Sequence, residues 1–362
     1  MIPSGLEPDP KPSAVAKQGE FVFAAIGLDH GHIYGQCEGL IEAGATFKWV
    51  YDPDEAKLAD FKQKFPDVQV APNVGSILDD PDIKLVASAI TPNERAALGL
   101  RVMDAGKDYF TDKAPFTSLE QLEQIEAKIA ETSRKYLVYY SERLHVESAV
   151  YAGQLIERGA IGRVVQVLGL GPHSLRLSGR PDWFFVKEQY GGILCDIGSH
   201  QIEQFFHFTG AKEAEVVSAR VANFNHPDHP GLDDFGEASL RADTGASGYL
   251  RVDWFSPTGL STWGDGRTFI LGTEGYLELR KYTDVAREAS KDHVYFVDGD
   301  KEHHLHVAGK VGFPFFTDLI LDCLNRTETA MTQAHALKAT ELAVKAQRLA
   351  DLKSINPNTT EE

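Results

Sequence analysis

Phe21-Val22-Phe23-Ala24-Ala25-Ile26-Gly27-Leu28-Asp29-His30-Gly31-His32 decides how the chain begins to fold. An unbroken apolar run fits a strand buried on both faces, and the glycine closes it. A helical pattern opens at about His32 and stops at Gly44. Phe47 to Tyr51 is a second strand, ended by Asp52. Pro53 suits the first turn of a helix, and Leu58, Phe61 and Phe65 give that helix one apolar stripe. The alternation continues. Val68 to Val70, Leu85 to Ile90, Asp108 to Thr111 and Tyr136 to Tyr140 read as strands. Helices run from about Asn93 to Ala105, stopped by Gly106, and from Ser118 to about Arg134, where Gln121 completes a capping box. Alternating strands and helices predict an α/β domain over residues 21–140, a parallel sheet covered on both faces. Its ligand belongs at the carboxyl ends of the strands.

After residue 141 the rhythm changes. A helix runs from about Val146 to Arg158, Val164 to Leu170 is strand-like, and Gly191-Gly192 opens an apolar helix reaching Phe208, stopped by Gly210. Strand patterns then follow one another: Glu215 to Ala222, Phe235 to Ala242, Ala246 to Phe255, Thr268 to Leu271, Tyr276 to Leu279 and His293 to Val297. Strands without intervening helices predict a second domain of α+β type over residues 141–355, with a large, mostly antiparallel open sheet. A helix from about Thr332 to Asp351 closes it. Residues 1–20 and 356–362 read as polar tails, the first mobile.

Composition narrows the function. With 53 acidic and 36 basic residues the formal charge is −17, which repels nucleic-acid backbones and anionic lipid. Cys37, Cys195 and Cys323 lie too far apart for a disulfide framework or a cysteine zinc module. No apolar run approaches the roughly 18 residues of a membrane span. The expectation is a cytoplasmic protein acting on a small molecule.

Several residues could carry chemistry. The dinucleotide fingerprint wants glycine at three places of the first turn, where a pyrophosphate meets a helix N-terminus. Only Gly27 fits, because Asp29 and His32 hold the other two places. Asp52, ending the second strand, can take both ribose hydroxyls of NAD and repel the 2′-phosphate of NADP; its alternative role is a helix cap. His30 and His32 are spaced i, i+2, which is no specific ligand spacing, so phosphate or solvent contact is expected and no metal. His304 and His306 share a strand face and read as surface histidines. Lys113, in Thr111-Asp112-Lys113-Ala114-Pro115, follows a strand end and either points into the ligand crevice or is simply exposed. Asp196 and His200 are spaced i, i+4, as an acid/base unit or a helix-surface pair would be.

Together these pieces resemble the Gfo/Idh/MocA family, the glucose–fructose oxidoreductase and inositol dehydrogenase group of nicotinamide-dependent oxidoreductases. The resemblance runs over about Phe21 to Asp351 and rests on the order of its motifs. These are the turn Gly27 to His32, Asp52, Thr91-Pro92-Asn93, Asp112-Lys113-Ala114, and Gly191-Gly192 before Asp196-Ile197-Gly198-Ser199-His200. Arg143, Ala160-Ile161-Gly162, Trp183 and Gly272-Thr273-Glu274-Gly275 match stretches the family usually has. The chain departs from the pattern at Asp29 and His32, at Ala114 where the family has proline, and at Ala96 where it often has histidine.

The resemblance implies a Rossmann-type domain that binds NAD, with NADP second. Gly27, Asp29, His30, Gly31, His32, Asp52, Thr91, Pro92, Asn93 and Asp112 would line the cofactor. It implies hydride transfer from a secondary hydroxyl of a sugar, cyclitol or related polyol. His200 is the implied general acid/base, Lys113 the group on the reacting oxygen, and Asp196 a substrate or orienting carboxylate; His200 and Lys113 could exchange roles. Arg143, Arg176, Arg180 and Trp183 are candidate substrate contacts. Two alternatives stay open: a redox-neutral glycoside-cleaving enzyme that retains NAD, and a non-catalytic sensor on the same scaffold. A homo-dimer or homo-tetramer through the C-terminal sheet is expected.

Overall fold

The structure, a computed structural model, describes residues 5–352. Its internal contacts divide the chain into two units. The first takes Pro12–Tyr139 and returns for Phe313–Leu337. The second takes Tyr140–Gly312 with residues 5–11 and 338–352.

The first unit holds six strands: β1 (Val22–Ile26), β2 (Thr46–Tyr51), β3 (Gln69–Val70), β4 (Ile83–Ser88), β5 (Asp108–Asp112) and β6 (Tyr136–Tyr139). They pair in parallel in the order β3-β2-β1-β4-β5-β6. The order reverses between β1 and β4, so the ligand crevice of this Rossmann sheet lies at their carboxyl ends, beside Gly27 and Ile90. Phe23, Leu85, Val86 and Phe110 are fully buried in its core, as unbroken apolar runs require.

Two elements here were not expected. Asn73 caps a short helix, Val74–Leu78, accepting from the Ser76 N–H at 2.9 Å. A longer helix, Pro314–Asn325, belongs to this unit and not to the second domain foreseen over residues 141–355. Its packing explains the placement. Phe315 and Phe316 stand 5.9 and 6.4 Å from Phe110, and Arg326 clasps Asp108 at 2.6 and 2.7 Å.

The second unit is built on eight strands: β7 (Val164–Pro172), β8 (Ala214–Ala222), β9 (Phe235–Ala242), β10 (Ser247–Asp253), β11 (Arg267–Gly272), β12 (Tyr276–Arg280), β13 (His293–Val297) and β14 (Glu302–His306). Their order is β14-β13-β12-β11-β7-β10-β9-β8. Every pairing is antiparallel except β7 with β10. The helix Gly198–Thr209 buries Ile202, Phe205 and Phe206 against this sheet. Gly248 makes room for it, since a Cβ there would stand 2.8 Å from the Phe205 ring.

Part of the segment expected to be a mobile tail makes hydrogen bonds to the rest of the chain. Within residues 5–20, the Leu6 carbonyl accepts from the Tyr151 hydroxyl, the Glu7 carbonyl accepts from Arg158 at 2.7 Å, and the Val15 N–H donates to Ala43 at 3.0 Å. These bonds replace water for a polar segment that composition alone left without partners. Residues 1–4 and the expected tail at 356–362 lie outside the described residues.

Candidate functional site

In the first unit the turn after β1 is assembled from backbone and carboxylates. Gly27 has φ +82°, a left-handed conformation that favours glycine. A Cβ there would fall 1.7 Å from Ile90 Cγ2. Asp52 is 4% exposed and bridges two segments. Its Oδ2 accepts from the Leu28 N–H at 2.7 Å and its Oδ1 from the Asp54 N–H at 2.8 Å. The following helix, Glu55–Lys64, is capped by Asp54 and not by Asp52. Asp52 therefore sets the shape of the turn and places a negative charge at the end of β2.

Asp29 occupies a place where the fingerprint has glycine. Its carboxylate pairs with Lys57 and accepts from the Thr91 N–H and hydroxyl at 3.0 and 3.2 Å. Lys57 offsets its charge and Thr91 joins the first turn to the loop after β4. A Cβ at Gly31 would meet nothing within 4 Å, so the start of the helix His32–Glu42 faces open space. That opening, a helix N-terminus and a carboxylate ending β2 fit a dinucleotide.

Asp112 gathers the rest of the turn. Its two oxygens lie 3.0 Å from His30 Nδ1 and 2.8 Å from His32 Nδ1. The Lys113 N–H donates to it at 2.8 Å and Arg95 at 3.3 Å. Burial pushes the Asp112 carboxyl upward, but His32, Arg95 and His30 outweigh this and hold it well below the usual range. Burial, then the neighbouring His32, depresses His30 to about 4. His30, His32 and Asp112 bring three ligand-type atoms within 4.8 Å of one another, with Asp112 the acidic partner that spacing could not supply. The Arg95 cation on the same carboxylate disfavours a metal there.

Arg95 was not singled out from the sequence. It is 1% exposed and donates to the carbonyls of Ile90 at 2.7 Å, Ala114 at 3.1 Å and Lys113. It thus holds the loop carrying Lys113, whose bond to Ala114 is cis. Lys113 is buried, not a surface loop lysine. Gln121 donates to the Asn93 carbonyl at 2.8 Å and fixes the Thr91-Pro92-Asn93 loop.

In the second unit Gly191 and Gly192 both have positive φ. Gly192 lies against Gln347, which accepts from the Leu194 N–H at 3.0 Å and donates to Asp233 at 3.0 Å. The single helix expected after this pair is broken at Ile197 into Ile193–Asp196 and Gly198–Thr209. Asp196 and His200 flank that break, and both are buried. They are not the helix-surface pair that the spacing also allowed.

Arg180 lies within electrostatic reach of Asp196, and its guanidinium sits over Phe184 at 4.3 Å and Trp254 at 4.8 Å. Trp183 packs beside Phe184 at 5.6 Å. Arg176 is exposed, in a left-handed conformation. Arg143 is held by Glu203, donating to both carboxylate oxygens at 2.7 and 2.9 Å. Arg143, a candidate substrate contact, is thus also anchored within the second unit. The histidines of β14 are not an isolated surface pair either. His304 Nε2 lies 2.9 Å from Nδ1 of fully buried His293, and His306 stacks on His293 at 4.6 Å.

Two family models match the chain: the NAD-binding Rossmann fold of the oxidoreductase family over residues 24–140, and the GFO/IDH/MocA C-terminal domain over 150–278. The chain belongs to the Gfo/Idh/MocA oxidoreductase family. A crystal structure of a protein from Erwinia carotovora atroseptica SCRI1043, described as an oxidoreductase, is 53% identical, with a TM-score of 0.89 over 91% of this chain and 98% of that one. Among curated relatives, the NAD(+) scyllo-inositol 2-dehydrogenase of Bacillus subtilis strain 168 is 24% identical over 76% of this chain and 79% of that protein. The D-xylose dehydrogenase of Paenarthrobacter nicotinovorans is 25% identical over 41% of this chain, and the match spans 39% of that protein. A levoglucosan dehydrogenase solved with NADH and levoglucosan shares the fold, with a TM-score of 0.76 at 17% identity over 92% of this chain and 98% of that one. Within this family the first unit is an NAD(P)-binding domain. Among the described residues no helix is long and apolar enough to cross a membrane.

Proposed function

We propose that this family member is an NAD-dependent dehydrogenase that oxidises a secondary hydroxyl of a sugar, cyclitol or related polyol. The observation that carries the reading is the burial of three reactive side chains at sites the family motifs single out. Lys113 follows β5 in the first unit, and Asp196 and His200 flank the helix break in the second. Burying an amine and an imidazole costs free energy, which fits a functional use better than a solvated surface. The names of the curated relatives support a polyol substrate. The Asp52 carboxylate supports NAD over NADP, because it would repel a 2′-phosphate.

Bound NAD would supply a hydride acceptor. Gly27, the opening beside Gly31 and Asp52 would hold its adenosine end. By the family motifs, His200 would remove the hydroxyl proton, Lys113 would stabilise negative charge developing on a substrate oxygen, and Asp196 would orient the imidazole or the substrate. A homo-oligomer formed through the second unit's sheet is part of the same proposal. Tyr249, Leu168, Phe269, Glu278 and Tyr295 form one half-exposed row across its strands, and Leu271 and Tyr276 beside it are exposed.

The test is NADH absorbance with scyllo-inositol, D-xylose and levoglucosan, for the parent protein, Lys113→Ala and His200→Ala. Turnover by the parent, lost in both variants while NAD binding persists, supports the assignment. Unchanged turnover in both variants refutes it. Product without net NADH would replace it with redox-neutral chemistry.

A further inference from the structure

Strand β14 ends the eight-stranded sheet and pairs with β13 alone. In their antiparallel register His293 stands opposite His306, and Tyr295 opposite His304. The period of two puts all four residues on one face of the sheet. His303 belongs to the other face, where its ring meets Asp298 at 3.0 Å.

The chain just before β13 folds back toward this row. Asp284 and Glu288 close a turn through their backbones: the Asp284 N–H donates to the Glu288 carbonyl at 3.2 Å, and the Glu288 N–H to the Asp284 carbonyl at 2.9 Å. The turn sets Glu288 Oε1 3.8 Å from His293 Nε2. One ligand-type atom from each of Glu288, His293 and His306 lies within 4.8 Å of the other two. Two ligands about 2.1 Å from zinc at the tetrahedral angle stand about 3.4 Å apart, so the cluster has to close only slightly around an ion.

The state of the two rings supports such a use. His306 Nε2 is buried and has no hydrogen-bond partner, which commonly marks a place for an ion or an ordered water. His293 Nε2 lies 2.9 Å from the Ser290 hydroxyl, which rotation about one bond moves aside. The rings of His293 and His306 stack parallel within 9°, so each turns about its broad Cβ–Cγ torsion to aim a lone pair at a shared ion. His293 Nδ1 lies 2.9 Å from His304 Nε2. With an ion on Nε2, Nδ1 keeps its proton and donates to His304, the kind of outer contact that orients a metal-bound imidazole.

A second set, Asp284, His293 and His304, is equally close but already neutralised. Arg280 donates to Asp284 at 2.6 Å, and the Tyr295 hydroxyl donates to its other oxygen. Arg280 and Arg287 also stand over the Tyr295 ring, at 5.4 and 5.7 Å, on the His304 side of His293. Glu288 is exposed and pairs with no lysine or arginine among the described residues, so its charge is left to a cation.

We propose that Glu288, His293 and His306 bind a zinc-type divalent cation, which clips the turn at residues 284–288 to the edge strand β14. Two imidazoles and one carboxylate suit zinc and leave a fourth position to water. The site lies within the second unit and does not depend on the dehydrogenase reading.

The experiment titrates zinc alone into the full-length, tag-free, chelator-stripped protein, in competition with a zinc-indicator dye. Glu288→Gln and His306→Asn are titrated alongside, their folding checked by circular dichroism in zinc-free buffer. The parent binds one zinc that each variant binds at least about tenfold more weakly. No zinc binding by the parent, or an affinity in either folded variant equal to the parent's, overturns the site. The second result also exposes zinc held at His30, His32 and Asp112 instead. If a variant does not fold, zinc-edge anomalous diffraction from zinc-soaked crystals of the unmodified protein decides. A peak bonded to Glu288, His293 and His306 sustains the site, and no peak there overturns it.

Discussion

Replacing Asp112 with asparagine removes one charge and almost no volume from the most densely bonded carboxylate of the nucleotide turn. Each oxygen of Asp112 serves two donors. One is shared by His32 and the Lys113 N–H, the other by His30 and Arg95. Asparagine keeps one acceptor, so in either orientation its NH2 group faces two former donors. The histidine of each pair can adapt, because a neutral imidazole can present a lone pair. The Lys113 N–H and the Arg95 guanidinium cannot. One of them is left facing a donor, and buried Arg95 also loses its counter-charge. Breaking a buried pair typically costs about 3–5 kcal/mol. Arg95 keeps its bonds to three carbonyls, which moves the expectation to the lower end, about 3 kcal/mol. Urea denaturation at pH 7.5 measures it. A loss below about 1 kcal/mol with an unchanged m-value would refute the claim that Asp112 organises this turn through its charge.

The same cluster predicts a pH dependence. His30 is held at about 4, below its ordinary 6.5, so between those values the unfolded chain binds the extra proton. Stability is therefore intact above pH 6.5 and falls toward pH 4 by up to about 1.4 kcal/mol per unit. Asp112, also depressed, adds a loss of the same sign at lower pH. A flat denaturation midpoint between pH 7 and 5 would contradict this. Gly27→Ala must accept both a left-handed backbone and a Cβ on top of Ile90. It is expected to lose about 3 kcal/mol and to weaken NAD binding, measured by denaturation and by fluorescence titration. Wild-type affinity and stability in that variant would show that the turn tolerates a side chain.

The parallel sheet was legible because both faces of its strands are covered, so apolar runs such as Phe21 to Ile26 carry the signal without help from distant residues. Asp52 and Lys113 were legible through their positions just after strand ends. What escaped depends on contacts far along the chain. Arg95 gains its meaning only from the carbonyls around Lys113. The helix after Gly192 reads as continuous because its apolar residues keep helical spacing across Ile197, and the break is a backbone event that spacing does not record. The helix Pro314–Asn325 carries its apolar residues at helical intervals too, yet its allegiance to the first unit depends on Phe110 and Asp108, some two hundred residues earlier.

That late return of the chain bears on how the protein is made. The strands of the first unit leave the ribosome before the second unit is made, but Phe315, Phe316 and Arg326, which close over Phe110, Tyr139 and Asp108, are synthesised only after it. A nascent chain paused after residue 140 exposes that apolar seam through the whole translation of the second unit. Recombinant fragments cut there inherit the same open seam, whereas fragments that splice residues 313–337 onto the early strands carry their own seal.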